Sequence, residues 1–160
     1  MRQELIIRRG YEEDCEELYN MVYELWEYER ISMTKDINVQ ELKDFGFCNN
    51  PCYHFYVAQE KKSKKLAGFM LYFFTYSIEV GKSMYLREFF IREHYRGHGV
   101  GSQLFQVLAK EAYNNKCKEV VWQVLKWIPA RKFYEKYKAE NMTESKGWQL
   151  YVKPIKKNEK

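Results

Sequence analysis

Apolar residues recur along this chain with two periods, and the points where one gives way to the other mark out its elements. Leu18, Met21, Val22, Leu25 and Trp26 stand three and four apart, which predicts an amphipathic helix over 12–28. Gln3–Arg9 before it reads as a strand, and Val39–Phe45 after it as a short second helix. Tyr53–Ala58, Leu66–Thr75 and Ser83–Ile91 are rich in aromatic and β-branched residues and are separated by Lys61-Lys62-Ser63 and Gly81, so they predict a strand meander. Val100, Leu104, Val107, Leu108 and Ala112 return to the helical period directly after a glycine-rich turn. Val120–Leu125 has strand length, Pro129 suits the first turn of a helix ending near Tyr137, and Met142-Thr143 with Trp148–Val152 flank a turn at Lys146-Gly147 as a closing hairpin. About seven strands and four helices in this order predict a mixed α/β (α+β) domain with a twisted mixed sheet, not the regular alternation of a doubly wound one.

Length and composition narrow the class. At 160 residues, without repeats, low-complexity stretches or a Pro/Gly/Ser linker, the chain is expected to form one domain over 1–160. Its longest apolar stretch, Gly68–Ile78, is interrupted by Thr75 and tyrosines and is too short to span a bilayer. Arg2, Glu4, Arg8 and Arg9 break up any signal-peptide core, so a cytoplasmic protein with no membrane partner is expected, its four cysteines reduced. The net charge of +5 hides an asymmetry: residues 1–60 carry six Arg/Lys and thirteen Asp/Glu, whereas residues 61–160 carry twenty-one and nine. A cation is therefore drawn to the first part and an anion to the second. Nucleic acid is not the expected anion, because the aromatic residues lie in apolar runs and do not alternate with Lys/Arg.

The segment Arg96-Gly97-His98-Gly99-Val100-Gly101-Ser102 lies between an apolar strand and an amphipathic helix. Alternate glycines let main-chain N–H groups approach a ligand at a helix N-terminus, a device for holding phosphate, and Arg96 and the Ser102 hydroxyl add donors. It is not a P-loop, since no Gly-Lys-Ser/Thr follows, and the dinucleotide fingerprint fails because its third glycine falls on Ser102. Cys48-Asn-Asn-Pro-Cys52 with His54 lacks the second ligand pair of a metal site, so no metal is expected. Arg87 and Glu88 interrupt the apolar strand, where a charged pair needs a partner or a cleft.

The glycine-rich segment resembles the R/Q-x-x-G-x-G/A pyrophosphate loop of the GNAT N-acetyltransferases. The surrounding chain is similar to their diamine (spermidine/spermine) and thialysine acetyltransferase branch. The similar stretches are Tyr28-Glu29, Asp44–Phe47, Pro51–His54, Gly68–Tyr76, Gly81–Phe90, Phe133-Tyr134 and Gly147-Trp148. The resemblance implies a GNAT fold and an enzyme that moves an acetyl group from acetyl-coenzyme A to a primary amine of a small molecule, a polyamine or a lysine-like amino acid, by direct transfer. It implies coenzyme contacts from Phe89, Phe90 and Ile91 and from Arg96, Gly97, His98, Gly99, Val100, Gly101 and Ser102. It assigns Tyr134 as general acid and Tyr28, Glu29, Glu88 and Trp148 to the acceptor, in a homodimer.

Three positions depart from that pattern. Where the family has two adjacent acids, one ordering the water that takes the amine proton and one holding the polyamine, Arg87 replaces the first and Glu88 matches the second. Trp127-Ile128-Pro129-Ala130 lacks the family's asparagine after tryptophan, and Lys138 stands where relatives place glycine. The general base is thus left open. The departures fit either an altered acceptor, with Arg87 at its site, or a coenzyme-A-binding pseudoenzyme or interaction protein with weakened catalysis.

Overall fold

The structure, a computed structural model, describes residues 4–32, 37–129 and 131–155. The chain divides into two compact units, Met1–Val124 and Leu125–Lys160. The first holds β1 (Leu5–Arg9), α1 (Cys15–Glu29), α2 (Val39–Gly46), β2 (His54–Glu60), β3 (Leu66–Ser77), β4 (Gly81–Ile91), α3 (Val100–Asn114) and β5 (Glu119–Trp122). The strands lie in the order β1-β2-β3-β4-β5; the first four are antiparallel in turn and β5 runs parallel to β4.

Each face of this sheet carries one long helix. On α1 the buried residues are Cys15, Leu18, Met21 and Leu25; the last three belong to the stripe that the sequence period marked and pack in one core with Phe55, Val57, Phe69 and Phe90. Burial of each such side chain contributes about 1.5–3 kcal/mol. Phe89, one residue along, points the opposite way and packs edge-on against Phe105 of α3. Polar clamps fix both helices. Arg92 reaches from the end of β4 to Glu17 (2.7 Å) and Glu24 (2.6 Å) on α1 and donates to the Leu66 carbonyl. On the other face Glu111 of α3 accepts from Arg9, Tyr56 and Tyr72.

The second unit contains α4 (Arg131–Lys136) and α5 (Met142–Lys146). Here the expected closing hairpin is replaced. The Asn141 side chain accepts from the Glu144 N–H and Gly147 adopts a left-handed φ of +69°, so both ends of Met142–Lys146 are capped as a helix. Trp148–Val152 forms no strand and is exposed. The described residues therefore contain five strands and five α-helices in place of seven and four, and the mixed α/β class holds. The helix expected from Pro129 begins at Arg131, with Ala130 outside the described residues, as is Gln3 before β1. Among the described residues no helix is long and apolar enough to cross a membrane.

Candidate active site

The glycine-rich turn has the backbone its sequence predicts. Gly97 and Gly99 have φ of +75° and +81°, and a Cβ added to either would meet nothing within 4 Å. Gly99 is the N-cap of α3, and no side chain caps that end. Val100, 2% exposed, anchors the helix below, while Gly101 and Ser102 complete its first turn. A helix start without a side-chain cap, with open space at two left-handed glycines, fits the pyrophosphate of a coenzyme. The His98 ring nitrogen Nδ1 lies 2.7 Å from the Arg96 carbonyl and braces the turn.

Arg96 does more than line this turn. Its Nε donates to the Ile91 carbonyl (2.7 Å), and its guanidinium stacks over Tyr28 at the end of α1 (4.5 Å) and over Phe90 (5.6 Å). It thereby ties the turn to β4 and to α1. The Arg92 N–H bonds the Ala67 carbonyl of β3, and main-chain groups alternate along a strand. Those of Phe90 therefore face β3, while those of Phe89 and Ile91 face the other side. On that side β5 has ended, since its register with β4 stops at Leu86↔Trp122. Of the three residues implied in coenzyme contact, Phe89 and Ile91 turn main-chain groups to the side β5 vacates, and Phe90 turns its ring into the core beside α1.

Arg87 and Glu88 come together through a β-bulge. Leu71 pairs with Glu88 and Tyr72 with Leu86, so Arg87 is an extra residue that β3 does not match. On a regular strand the two side chains would diverge. With the bulge, Arg87 Nε lies 3.8 Å from Glu88 Oε1, with Arg87 more than half exposed and Glu88 only 20% exposed. Glu88 shares the α1 face with Leu71 and Phe90. Burial pushes its carboxyl up to about 7; Arg87 opposes this shift and Glu29, at the end of α1, adds to it. Glu29 itself is raised by burial and lowered by Arg87. Tyr28, Glu29, Arg87, Glu88 and the glycine-rich turn thus form one neighbourhood of the first unit.

Tyr134 and Trp148 belong to the second unit. Tyr134 lies on α4, half-buried, with its ring 5.7 Å from that of Phe133, and Trp148 is 66% exposed. Lys138, which follows α4, has a left-handed φ of +57°, the conformation for which glycine is suited.

One concavity escaped sequence reasoning. A cavity of about 320 Å³ between the end of β1 and the α2–β2 loop is lined by Arg9, Phe47, Cys48, His54 and Phe55; Cys48 and His54 belong to the cluster set aside above as a metal site, and none of the residues implied in coenzyme, acceptor or proton transfer lines it. Its only trace in the sequence is small residues: Gly10 lies against the Phe55 ring and Gly46 against Tyr53.

The glycine-rich turn between β4 and α3, beside a β4 from which β5 departs, agrees with the class that the resemblance implied. Residues 13–138 match the acetyltransferase (GNAT) family, to which the chain belongs, and it is an N-acetyltransferase. Thialysine N-epsilon-acetyltransferase of Mus musculus is 34% identical over 149 residues, covering 89% of this chain and 88% of that protein. Spermidine/spermine N(1)-acetyltransferase-like protein 1 of Homo sapiens is 30% identical over 151 residues, 91% of this chain and 22% of the longer human protein. An integron cassette protein of V. cholerae shares the fold at TM-score 0.72, with 24% identity and coverage of 96% of this chain and 93% of its own.

Proposed function

We propose that the chain acetylates the primary amine of a small molecule, with acetyl-coenzyme A as donor and a lysine-like amino acid as the preferred acceptor. The observation that carries this reading is the bulged pair Arg87–Glu88 beside Glu29, next to an uncapped glycine turn. Two acids suit an ammonium. At an effective dielectric of about 20, a second ammonium about 4 Å from Arg87 is repelled by roughly 4 kcal/mol, which disfavours a long polyamine. An amino acid's carboxylate would instead pair with that guanidinium. The names of the mouse and human relatives span the same two acceptor classes.

Acetyl-coenzyme A supplies an activated acyl thioester. Main-chain N–H groups of Gly97–Ser102 hold its pyrophosphate, and Phe89 and Ile91 align the pantetheine arm. The Tyr134 hydroxyl gives a proton to the leaving sulfur, and Trp148 offers an aromatic wall to the acceptor. Residues 1–160 act as one domain of a cytoplasmic homodimer whose partner is the amine, with neither nucleic acid nor membrane involved.

The test is mass spectrometry of products from mixed spermine, lysine and thialysine, followed by catalytic efficiencies for wild type and Arg87→Glu. The expected result is a preference for thialysine that shifts toward spermine in the variant. A wild-type preference for spermine, or no shift, refutes the acceptor assignment. Arg87 and the missing asparagine also favour a second reading, a coenzyme-binding protein with weakened catalysis. Single-turnover thiol release across the amine panel separates the two.

A further inference from the structure

The acceptor arrives as an ammonium, with a pKa of about 10, and must lose a proton before it can attack. The residue implied to arrange this elsewhere in the family is an arginine here, Arg87, whose guanidinium offers donors and no acceptor. We infer that Glu88 is the general base, taking the ammonium proton at its carboxylate while Glu29 holds the ammonium. This rests on the acetyl-transfer reading above.

Three observations support it. Pairing with Leu71, two residues before Phe90, sets Glu88 on the α1 face, where Glu29 ends the helix, and the bulge brings Arg87 beside it. Glu88 is largely buried against apolar Leu71 of β3, yet its ion pair with Arg87 is 3.8 Å long and, among the described residues, it accepts no hydrogen bond. A buried carboxylate so weakly engaged is available for proton transfer. Finally, Glu88 directly precedes Phe89, whose main chain faces the side that β5 leaves, and Glu29 adjoins Tyr28, on which Arg96 of the glycine turn is stacked. The base would stand between the acceptor's ammonium site and the donor's cradle. Burial and the facing Glu29 hold the carboxyl near neutrality and Arg87 keeps it from rising further, so above about pH 7 it is charged and competent.

The step balances. The ammonium gives one proton to Glu88 Oε, and the nitrogen lone pair forms the C–N bond as the C–S bond breaks. The leaving sulfur takes a proton from Tyr134, the second proton lost by nitrogen returns to that phenolate through solvent, and Glu88 releases its proton to bulk. One proton is released per acetyl group transferred.

The experiment combines kinetics from about pH 6 to about 9 with a carboxylate titration of the coenzyme-free protein by infrared difference spectroscopy. Wild type should show kcat rising through pH 7 and a carboxyl titrating near that pH. Glu88→Gln should lower kcat by about 10²–10⁴-fold, abolish the rise and remove the titration. Arg87→Met, which leaves Glu88 in place, should move both the rise and the titration to higher pH. If Glu88→Gln raises KM while kcat and its pH profile are unchanged, Glu88 only binds the ammonium and the inference is overturned, as it is if the neutral titration is absent in wild type. Failure of wild type to acetylate any primary amine would overturn the functional reading and the inference together.

Discussion

Gly99→Val tests the coenzyme cradle most directly. The residue has φ of +81°, a region in which a side chain costs roughly 1–2 kcal/mol, more when β-branched. A Cβ there meets nothing within 4 Å, so no clash adds to this strain. In a chain of this length about 1 kcal/mol lowers Tm by about 2–4 °C, so the variant should melt about 2–8 °C below wild type. Coenzyme A at a hundredfold excess over its Kd adds about 2.7 kcal/mol to wild type, or about 5–11 °C. The variant should lose that protection, because an isopropyl group then occupies the space in which main-chain N–H groups meet the pyrophosphate. Gly81→Val is the control: its φ is +95° and it opens β4 directly after the β3–β4 turn, so it carries the same kind of strain while keeping the coenzyme shift. Thermal unfolding with and without coenzyme A reads both. Equal coenzyme shifts in Gly99→Val and wild type would refute the cradle.

Tyr134→Phe should leave Tm nearly unchanged and reduce turnover by about 10²–10⁴-fold, as loss of a general acid does; unchanged turnover in a thiol-release assay would return Tyr134 to packing alone. Gly68→Ala should destabilise by about 1–3 kcal/mol or more, because its Cβ would lie 2.4 Å from the Phe90 carbonyl oxygen and force β3 and β4 apart, measurable by urea unfolding. Asp14→Asn should weaken the fold in a pH-dependent way. Burial pushes that carboxyl up, but hydrogen bonds from Arg8 (2.7 and 2.9 Å) and from the Tyr11 N–H (2.7 Å) outweigh it and hold its pKa below the ordinary value. Its contribution is full above the unfolded pKa of about 3.9 and lost as pH falls through the folded one, so the stability gap between wild type and variant should narrow on acidification; a gap independent of pH contradicts this.

The helices and strands of the first unit were legible because their signals are local. The three-and-four spacing on α1 is the stripe that packs on Phe55, Phe69 and Phe90, and the alternate glycines before α3 take the left-handed conformations that only glycine adopts cheaply. The closing hairpin gives way to a helix for an equally local reason: Asn141, Glu144 and Gly147 are helix-capping signals, and they prevail over the hairpin pattern of Trp148–Val152. The chemistry around Glu88 had no such signal. Arg87 and Glu88 are adjacent letters, and whether they diverge or converge depends on the register between β3 and β4, in which Leu71 finds Glu88 and Tyr72 finds Leu86. Likewise Arg96 reads as a phosphate donor in its motif, and only the approach of α1 brings Tyr28 beneath its guanidinium. Sequence determines which groups are present and what local backbone they favour; the charge state of Glu88 and its neighbours follow from burial and cross-strand register, which no stretch of chain sets alone.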